Sequence, residues 1–376
     1  MKCRWLDTNI LQLSIKEFRS LWHDKILLIL IVWAFSGGIY VASTASSQEL
    51  NNAPIAIVDE DNSPLSKTIG NAFTQPYFNN PVYIDYTDVE PALNSGRFTF
   101  VVMIGSGFQS DLMSGKKPTL QINIDATQMS QAGIGDGYIQ NIVSGEIKKY
   151  VTGTLKAYSY PVSLIVHNKY NPNLTSSWFG SIMEIINNVT MLSIILAGAA
   201  VIREREHGTL EHLLVMPVKP LDIVLSKILA NGCVVLLAAT LSLVLVVQYV
   251  LQVPIKGSVS LFVLGVGLHL FATTSMGIFL GTVARTMPQL GLLFILTVLP
   301  LEMLSGGITP YESMPQIIQM IMQVAPTTHF VSLSQTILYR GGGISIIWPQ
   351  LLILVLIGSV FLFSAVSRFR TSVANA

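Results

Sequence analysis

The chain has 376 residues, a formal net charge of +1 and 11% charged residues, against 51% hydrophobic residues and a mean hydropathy of +0.57. That balance excludes an ordinary water-soluble domain and lacks the dense basic runs that a nucleic-acid partner requires. With only two cysteines, Cys3 and Cys233, no disulfide framework is available to any outer domain.

Residues 1–24 set Leu11, Ile15, Phe18 and Trp22 at i, i+4, i+7 and i+11, with Lys16, Glu17, Arg19 and His23 elsewhere around the helix. The pattern predicts an amphipathic helix lying in the inner-leaflet interface, its basic residues near the headgroups. Residues 25–45 are the first apolar span, long enough for ~30 Å of hydrocarbon. Ser43-Thr44-Ala45 resembles a signal-peptide cleavage site, but the charged leader is long and itself amphipathic, so the span is expected to stay uncleaved.

Residues 46–177 change character, with polar residues, turns and short alternating runs. Strands are predicted at 54–58, 82–86, 98–104 and 120–125, and helices at 65–73, 88–94, 108–113 and 130–154. The order β-α-β-α-β-α-β-α predicts one mixed α/β domain, placed on the outer, periplasmic side by the single spans that flank it. Its lysines do not contradict this, because long loops translocate largely regardless of charge. Asp59-Glu60-Asp61 lacks the spacing of a calcium loop and leads into Asn62-Ser63-Pro64, so a solvated turn is expected there. Asn173-Leu174-Thr175 matches a glycosylation acceptor, a pattern common by chance.

Further spans follow at 178–202, 221–251, 259–284, an unusually short 290–304, and 344–367. Within 305–343, the apolar pieces 314–324 and 330–339 are too short to cross and are expected to dip into the outer leaflet and return. Residues 368–376 form an inner tail anchored by Arg368 and Arg370. The predicted fold class is therefore an all-α transmembrane bundle of six helices with an inserted periplasmic mixed α/β domain, both termini cytoplasmic. The absence of an internal repeat weakens a carrier built on inverted halves.

Ionisable and polar groups inside spans are costly and mark either function or interhelical contacts. Glu184, Asn187 and Asn188 share a stretch of the second span, and Glu302 lies at the outer end of the fifth. These four are the candidate translocation path or chain–chain interface. The plainer alternatives are hydrogen-bond glue between helices for the first three and a carboxylate reaching outer water for Glu302. His269 reads as a satisfied interior histidine rather than a proton relay. Gly277 and Gly281 form a G-x-x-x-G pair, supported by Gly265 and Ser275, that predicts close helix packing.

The most charged short window lies between the second and third spans, at 203–220. Arg203, Arg205, Lys219 and Lys227 put it in the cytoplasm. Leu210, Leu213 and Leu214 recur at helical spacing among Glu204, Glu206, Glu211 and His212. Gly208-Thr209 interrupts and restarts the chain with Thr209 as N-cap, and Pro217 and Pro220 stop the new helix. The result is a short helix held near the inner surface with an apolar side available.

The run from Glu204 to Val218, E-x-E-H-G-T-L-E-H-L-L-V-M-P-V, resembles the coupling-helix signature of type-2 ABC exporter permeases. The likeness extends to the N-terminal amphipathic segment, the large domain between spans one and two, and Asn171-Pro172-Asn173. It also takes in Leu304-Ser305-Gly306-Gly307 with Pro310, Pro315 and Pro326. The resemblance implies a membrane subunit of a bacterial inner-membrane exporter, multidrug-exporter-like, moving amphiphilic or hydrophobic, drug-like cargo outward. It implies a cytoplasmic ATP-binding subunit docked on Glu204, Glu206, Gly208, Thr209, Leu210, Glu211, Leu213, Leu214 and Pro217. It also implies a second permease chain meeting this one through spans one, two and five, and a periplasmic membrane-fusion adaptor.

The sequence holds no G-x-x-x-x-G-K-[ST], H-E-x-x-H, paired-cysteine metal site or G-x-S-x-G. No enzyme activity and no cofactor or metal site of its own is expected, with ATP and Mg on the partner ATPase subunit. Two readings from other classes stand beside this one. One is a membrane-anchored receptor using the 46–177 domain; the other is a proton-coupled secondary carrier using Glu184, His269 and Glu302.

Overall fold

A computed structural model describes residues 3–45, 50, 52–125, 129–154, 176–206, 208, 218–309 and 311–374. The helix expected at 209–217, the Asn171-Pro172-Asn173 run and Pro310 lie outside the described residues. The chain divides into two compact units, Met1–Ala45 with Ser177–Ala376, and Ser46–Ser176.

The smaller unit follows the predicted order. Strands β1 (Ile55–Asp59), β2 (Val82–Tyr83), β3 (Phe100–Ile104) and β4 (Gln121–Ile124) form one sheet in the order β2-β1-β3-β4. Strand β1 runs parallel to both neighbours, pairing Ile57 with Tyr83 and with Val102, while β4 is antiparallel to β3. Helices Pro64–Asn71, Phe108–Met113 and Met129–Thr154 cover one face through Leu65, Ile69, Phe108, Ile139 and Val143. The helix Val89–Asn94 covers the other through Val89 and Ala92. Burial on both faces explains why β1 and β3 are continuous apolar runs. The long helix tolerates its early glycines because Gly135 leaves room for the Phe100 ring. Asp59 is turn chemistry, as expected: its carboxylate accepts from the Asp61 and Asn62 amides and from the Ser66 hydroxyl. Strand β2 is shorter than predicted, because a 3-10 turn begins at Tyr86 after a single further ladder bond from Ile84 N to Ile57 O.

The larger unit is helical. Helix α1 (Cys3–His23) leaves Leu11, Ile15, Phe18 and Trp22 exposed, the predicted lipid-side face. Asp24 alone separates it from α2 (Lys25–Trp33), which continues through a π-helical turn at Ala34–Gly38 into α3 (Ile39–Ala45). Beyond the α/β unit come α8 (Ser176–Glu206), α9 (Pro220–Ser242), α10 (Val259–Val283), α11 (Met287–Met303), α12 (Gln316–Met322), α13 (Pro326–Leu338) and α14 (Ile344–Ala374); the four helices of the smaller unit complete the numbering as α4 to α7. Among the described residues, five helical stretches are long and apolar enough to cross a membrane: Lys25–Thr44, Ser177–Glu206, Pro220–Val250, Val259–Val283 and Ile344–Phe369. Met287–Met303 is a shorter apolar helix of 17 residues. Hydropathy alone ends two of these helices early: α8 runs past Ile202 to Glu206, and α14 past Ser367 to Ala374.

Helix α10 lies at the centre, packed against α9, α11, α13 and α14. Its glycines are contact points. An added Cβ at Gly277 would collide with the Ile194 backbone of α8, and one at Gly281 would lie 2.8 Å from Gly198 O. Gly265 faces Leu333 of α13, and Gly358 of α14 faces Phe271 of α10. Gly277→Ala should therefore destabilise the protein by about 1–3 kcal/mol through overpacking. Gly267→Ala, with nothing within 4 Å of the new carbon, should be neutral or slightly stabilising, and thermal unfolding of the two purified variants checks the contrast.

Candidate functional site

The root of α9 carries Lys227, whose side chain is only 1% exposed. A lone ammonium there would cost several kcal/mol, so the fold must bring it counter-charges. Its Nζ lies 3.0 Å from Glu17 Oε1 of α1 and 2.9 Å from Glu204 Oε2 of α8. Glu204 in turn holds Lys16 at 3.2 Å. Two cations and two carboxylates from three helices thus form a neutral, largely buried cluster. Each partner is delivered by local structure. Pro220 starts α9 in a helical conformation, with Asp222 accepting from the Lys219 amide. The amphipathic pattern of α1 puts Glu17 on the side opposite its exposed apolar face. The four extra residues of α8 carry Glu204 inward.

The same end of α8 grips two more elements. Arg205 donates from Nη1 to the Ala284 carbonyl at 2.5 Å, just past the end of α10. Glu206 accepts from the Met287 amide at 3.3 Å, at the start of α11, where a carboxylate also meets the positive end of the helix dipole. Arg203 lies 3.7 Å from Asp24, the joint between α1 and α2. Gly208 then takes a left-handed φ of +66°, and its amide bonds to Arg205 O. Of the predicted docking residues, Glu204 and Glu206 are thus held in contacts inside the chain. Thr209, Leu210, Glu211, Leu213, Leu214 and Pro217 lie outside the described residues.

The membrane-depth candidates converge in part. Asn188 is buried and donates from Nδ2 to Ala34 O at 2.9 Å. That carbonyl belongs to the π-helical turn, where the regular ladder is interrupted and an outside donor is useful. The same Nδ2 lies 3.5 Å from Glu184 Oε1. On α11, Glu302 Oε1 is buried without a hydrogen-bond partner among the described residues. Glu184 and Asn188 therefore form one polar locus with Ala34 O, and Asn187 is half-buried on the same helix. His269 is an interior histidine, its Nε2 at 2.8 Å from Thr190 Oγ1 and its ring stacked 4.1 Å from that of Phe330. Ser193 donates to Thr273 at 2.7 Å on the same α8–α10 seam.

Sequence reasoning missed the ion cluster. In the sequence alone Lys227 is only one of the positive charges that place 203–220 at the inner surface. The usable signal was its place within an apolar helix, which demands a carboxylate from elsewhere. The α/β unit has a separate polar cleft lined by Asp59, Lys67, Tyr83, Asp85, Asp88 and Arg97. Burial, with Asp59 nearby, pushes the Tyr83 hydroxyl above its usual range.

Residues 25–366 match the pattern of the ABC-2 family transporter proteins. The inner membrane transport permease YhhJ of Escherichia coli (strain K12) is 54% identical over 367 residues, covering 98% of each chain. Two E. coli (strain K12) proteins named "Probable multidrug ABC transporter permease", YbhR and YbhS, are 26% and 24% identical. Their alignments cover 95% and 96% of this chain and 97% and 95% of theirs.

Breaking the cluster at its centre should be costly and breaking it at its rim cheap. Lys227→Met leaves Glu17 and Glu204 facing each other and should lower stability by about 3–5 kcal/mol. Lys16→Gln removes a half-exposed cation and should cost about 1 kcal/mol or less. Thermal unfolding in detergent measures both.

Proposed function

The chain belongs to the ABC-2 family of transporter proteins, and on that premise we propose that it is the permease subunit of an ATP-driven exporter, moving amphiphilic or hydrophobic cargo outward across the inner membrane. A separate cytoplasmic ATP-binding subunit docks on residues 204–217, with Leu210, Leu213 and Leu214 as apolar anchors. Closure of two such subunits pushes that segment. Two permease chains, identical or not, change the exposure of a path between them that includes Glu184, Asn187, Asn188 and Glu302. Nucleotide shifts this equilibrium only by binding the two states with different affinity. The short helix α11 acts as a sixth span, about 25 Å long at 1.5 Å per residue. Both termini are cytoplasmic, the α/β unit is periplasmic, and it recruits a membrane-fusion adaptor. The ATP and Mg sites belong to the partner subunit.

The observation that carries this reading is the ion cluster. The two helices that flank the coupling segment are joined at their roots through Lys227, so a push on that segment moves both as a pair. The names of YbhR and YbhS support drug-like cargo. The buried, unpartnered Oε1 of Glu302 favours a second reading, a proton-coupled carrier. Transport that survives ATP depletion but not collapse of the proton gradient would establish it. The exporter reading is tested by isolating the full chain from native membranes. Wild type should carry an ATP-binding cassette subunit with it. Leu213→Asp should insert normally yet lose that subunit, and unchanged recovery of the complex would count against docking at this segment.

A further inference from the structure

Strand β2 stands at an open edge of the α/β unit's sheet. On its inner side Ile84 N bonds to Ile57 O, so by alternation along the strand the Tyr83 N–H and C=O point away from β1, toward the free edge. Among the described residues no strand covers that edge, and Val82, Tyr83 and Tyr86 are exposed along it. An edge left open in this way is a template for another strand. The polar cleft of the unit, about 850 Å³, follows the same edge, with Lys67 and Asn71 of α4 lining it from one face and Asp88 and Arg97, on either side of α5, from the other.

This edge is complementary to itself. Tyr83 presents one donor and one acceptor, which is what a residue needs to face its own copy across a two-fold axis, since opposed residues of an antiparallel ladder exchange both bonds. That register sets Asp85 opposite Pro81 of the second copy. Pro81 has no N–H to give, and Asp85 O needs none, because it already accepts from the Asp88 amide at 3.0 Å. What remains is the Asp85 N–H, free to meet the Pro81 carbonyl. The charges follow the same symmetry. Asp85 and Asp88 lie at the carboxyl end of β2. Arg97 lies at its amino end, since Thr99 N reaches Pro54 O and Phe100 pairs with Ile55. Among the described residues no ion pair within the chain uses Asp85, Asp88 or Arg97, and the Arg97 guanidinium rests 5.2 Å over the Phe98 ring. Two antiparallel copies bring each acidic end to the other's basic end. We propose that the α/β units of two identical chains pair through their β2 edges, Tyr83 against Tyr83, with Asp88 of each facing Arg97 of the other. The proposal rests on the two-chain part of the exporter reading and deepens it, naming the partner as a second copy and the surface as this edge.

The experiment uses the full chain in E. coli membranes, with Cys3 and Cys233 replaced by serine and one cysteine introduced at a time. Paired across the axis, the two Cα atoms at position 83 stand about 5.5 Å apart, inside the ~4.4–6.8 Å that a disulfide spans. Oxidation of the Tyr83→Cys chain should therefore give a dimer on a non-reducing gel. Gln121→Cys, on β4 at the far edge of the sheet, should stay monomeric. In the Tyr83→Cys chain, Asp88→Arg should abolish the dimer, and adding Arg97→Glu should restore it. The proposal is overturned by no dimer at position 83, or by equal dimer at positions 83 and 121. It is also overturned if Asp88→Arg has no effect, or if Arg97→Glu does not rescue the loss. If Tyr83→Cys does not insert, p-benzoylphenylalanine at the exposed Tyr86 decides, with a photo-linked second copy expected and none refuting. Native complexes that hold one copy beside a different permease refute this pairing and leave the exporter reading standing. A dimer linked at position 83 whose wild-type chain brings no ATPase refutes the exporter reading and keeps the pairing.

Discussion

A lysine buried among apolar helices has to be neutralised, and much of the packing at one end of the helical unit follows from that requirement. Desolvating one ammonium costs several kcal/mol, more than the net contribution of a typical hydrogen bond. Lys227 therefore dictates where Glu17 and Glu204 must be. It fixes the rotation of α1 about its axis, since turning that helix by one residue would carry Glu17 away. It also fixes the length of α8, which has to remain helical beyond its apolar stretch to carry Glu204 inward. Lys16, half-exposed, completes the charge balance at the rim. The geometry of the three roots is thus set by electrostatics, while the spans above are set by close packing.

The α/β unit was legible almost residue by residue. Phe108–Met113 coincides with its predicted bounds, strands β2, β3 and β4 lie within their predicted runs, and β1 passes its run by one residue, to Asp59. Short alternating patterns separated by turn residues carry local information, and the sheet needed little more. Strand β2 was over-read because an edge strand can stop wherever a turn becomes favourable. The span ends were under-read for a different reason. Hydropathy reports where hydrocarbon begins, whereas a helix ends where its hydrogen bonds do, and Arg203–Glu206 are polar yet helical. The polar locus was legible on α8, since Glu184 and Asn188 are spaced one turn apart. Its partner on the first span was not, because the acceptor is a backbone carbonyl with no side-chain signature. The ion cluster was least legible: Glu17 and Lys227 stand 210 positions apart, and nothing local links them.

The seam between α8 and α10 is of another kind. Gly198, Gly277 and Gly281 bring the two backbones into direct contact, and Thr190–His269 and Ser193–Thr273 add side-chain bonds along it. With no bulky side chain between them, these helices have few alternative packings, and interiors packed this closely resist continuous deformation. Rearrangement within the helical unit is more easily accommodated at the polar contacts, which can exchange partners, than at this seam.

The π-helical turn at Ala34–Gly38 gives the first span a property that a straight helix lacks. One surplus residue is accommodated there, and each residue of an α-helix advances the face by about 100°. The halves of that span are accordingly out of phase, and a stripe aimed at protein below the turn is not continued by the same heptad positions above it. Such a defect is also slack in the ladder. Asn188 of α8 meets that slack from outside, donating to Ala34 O.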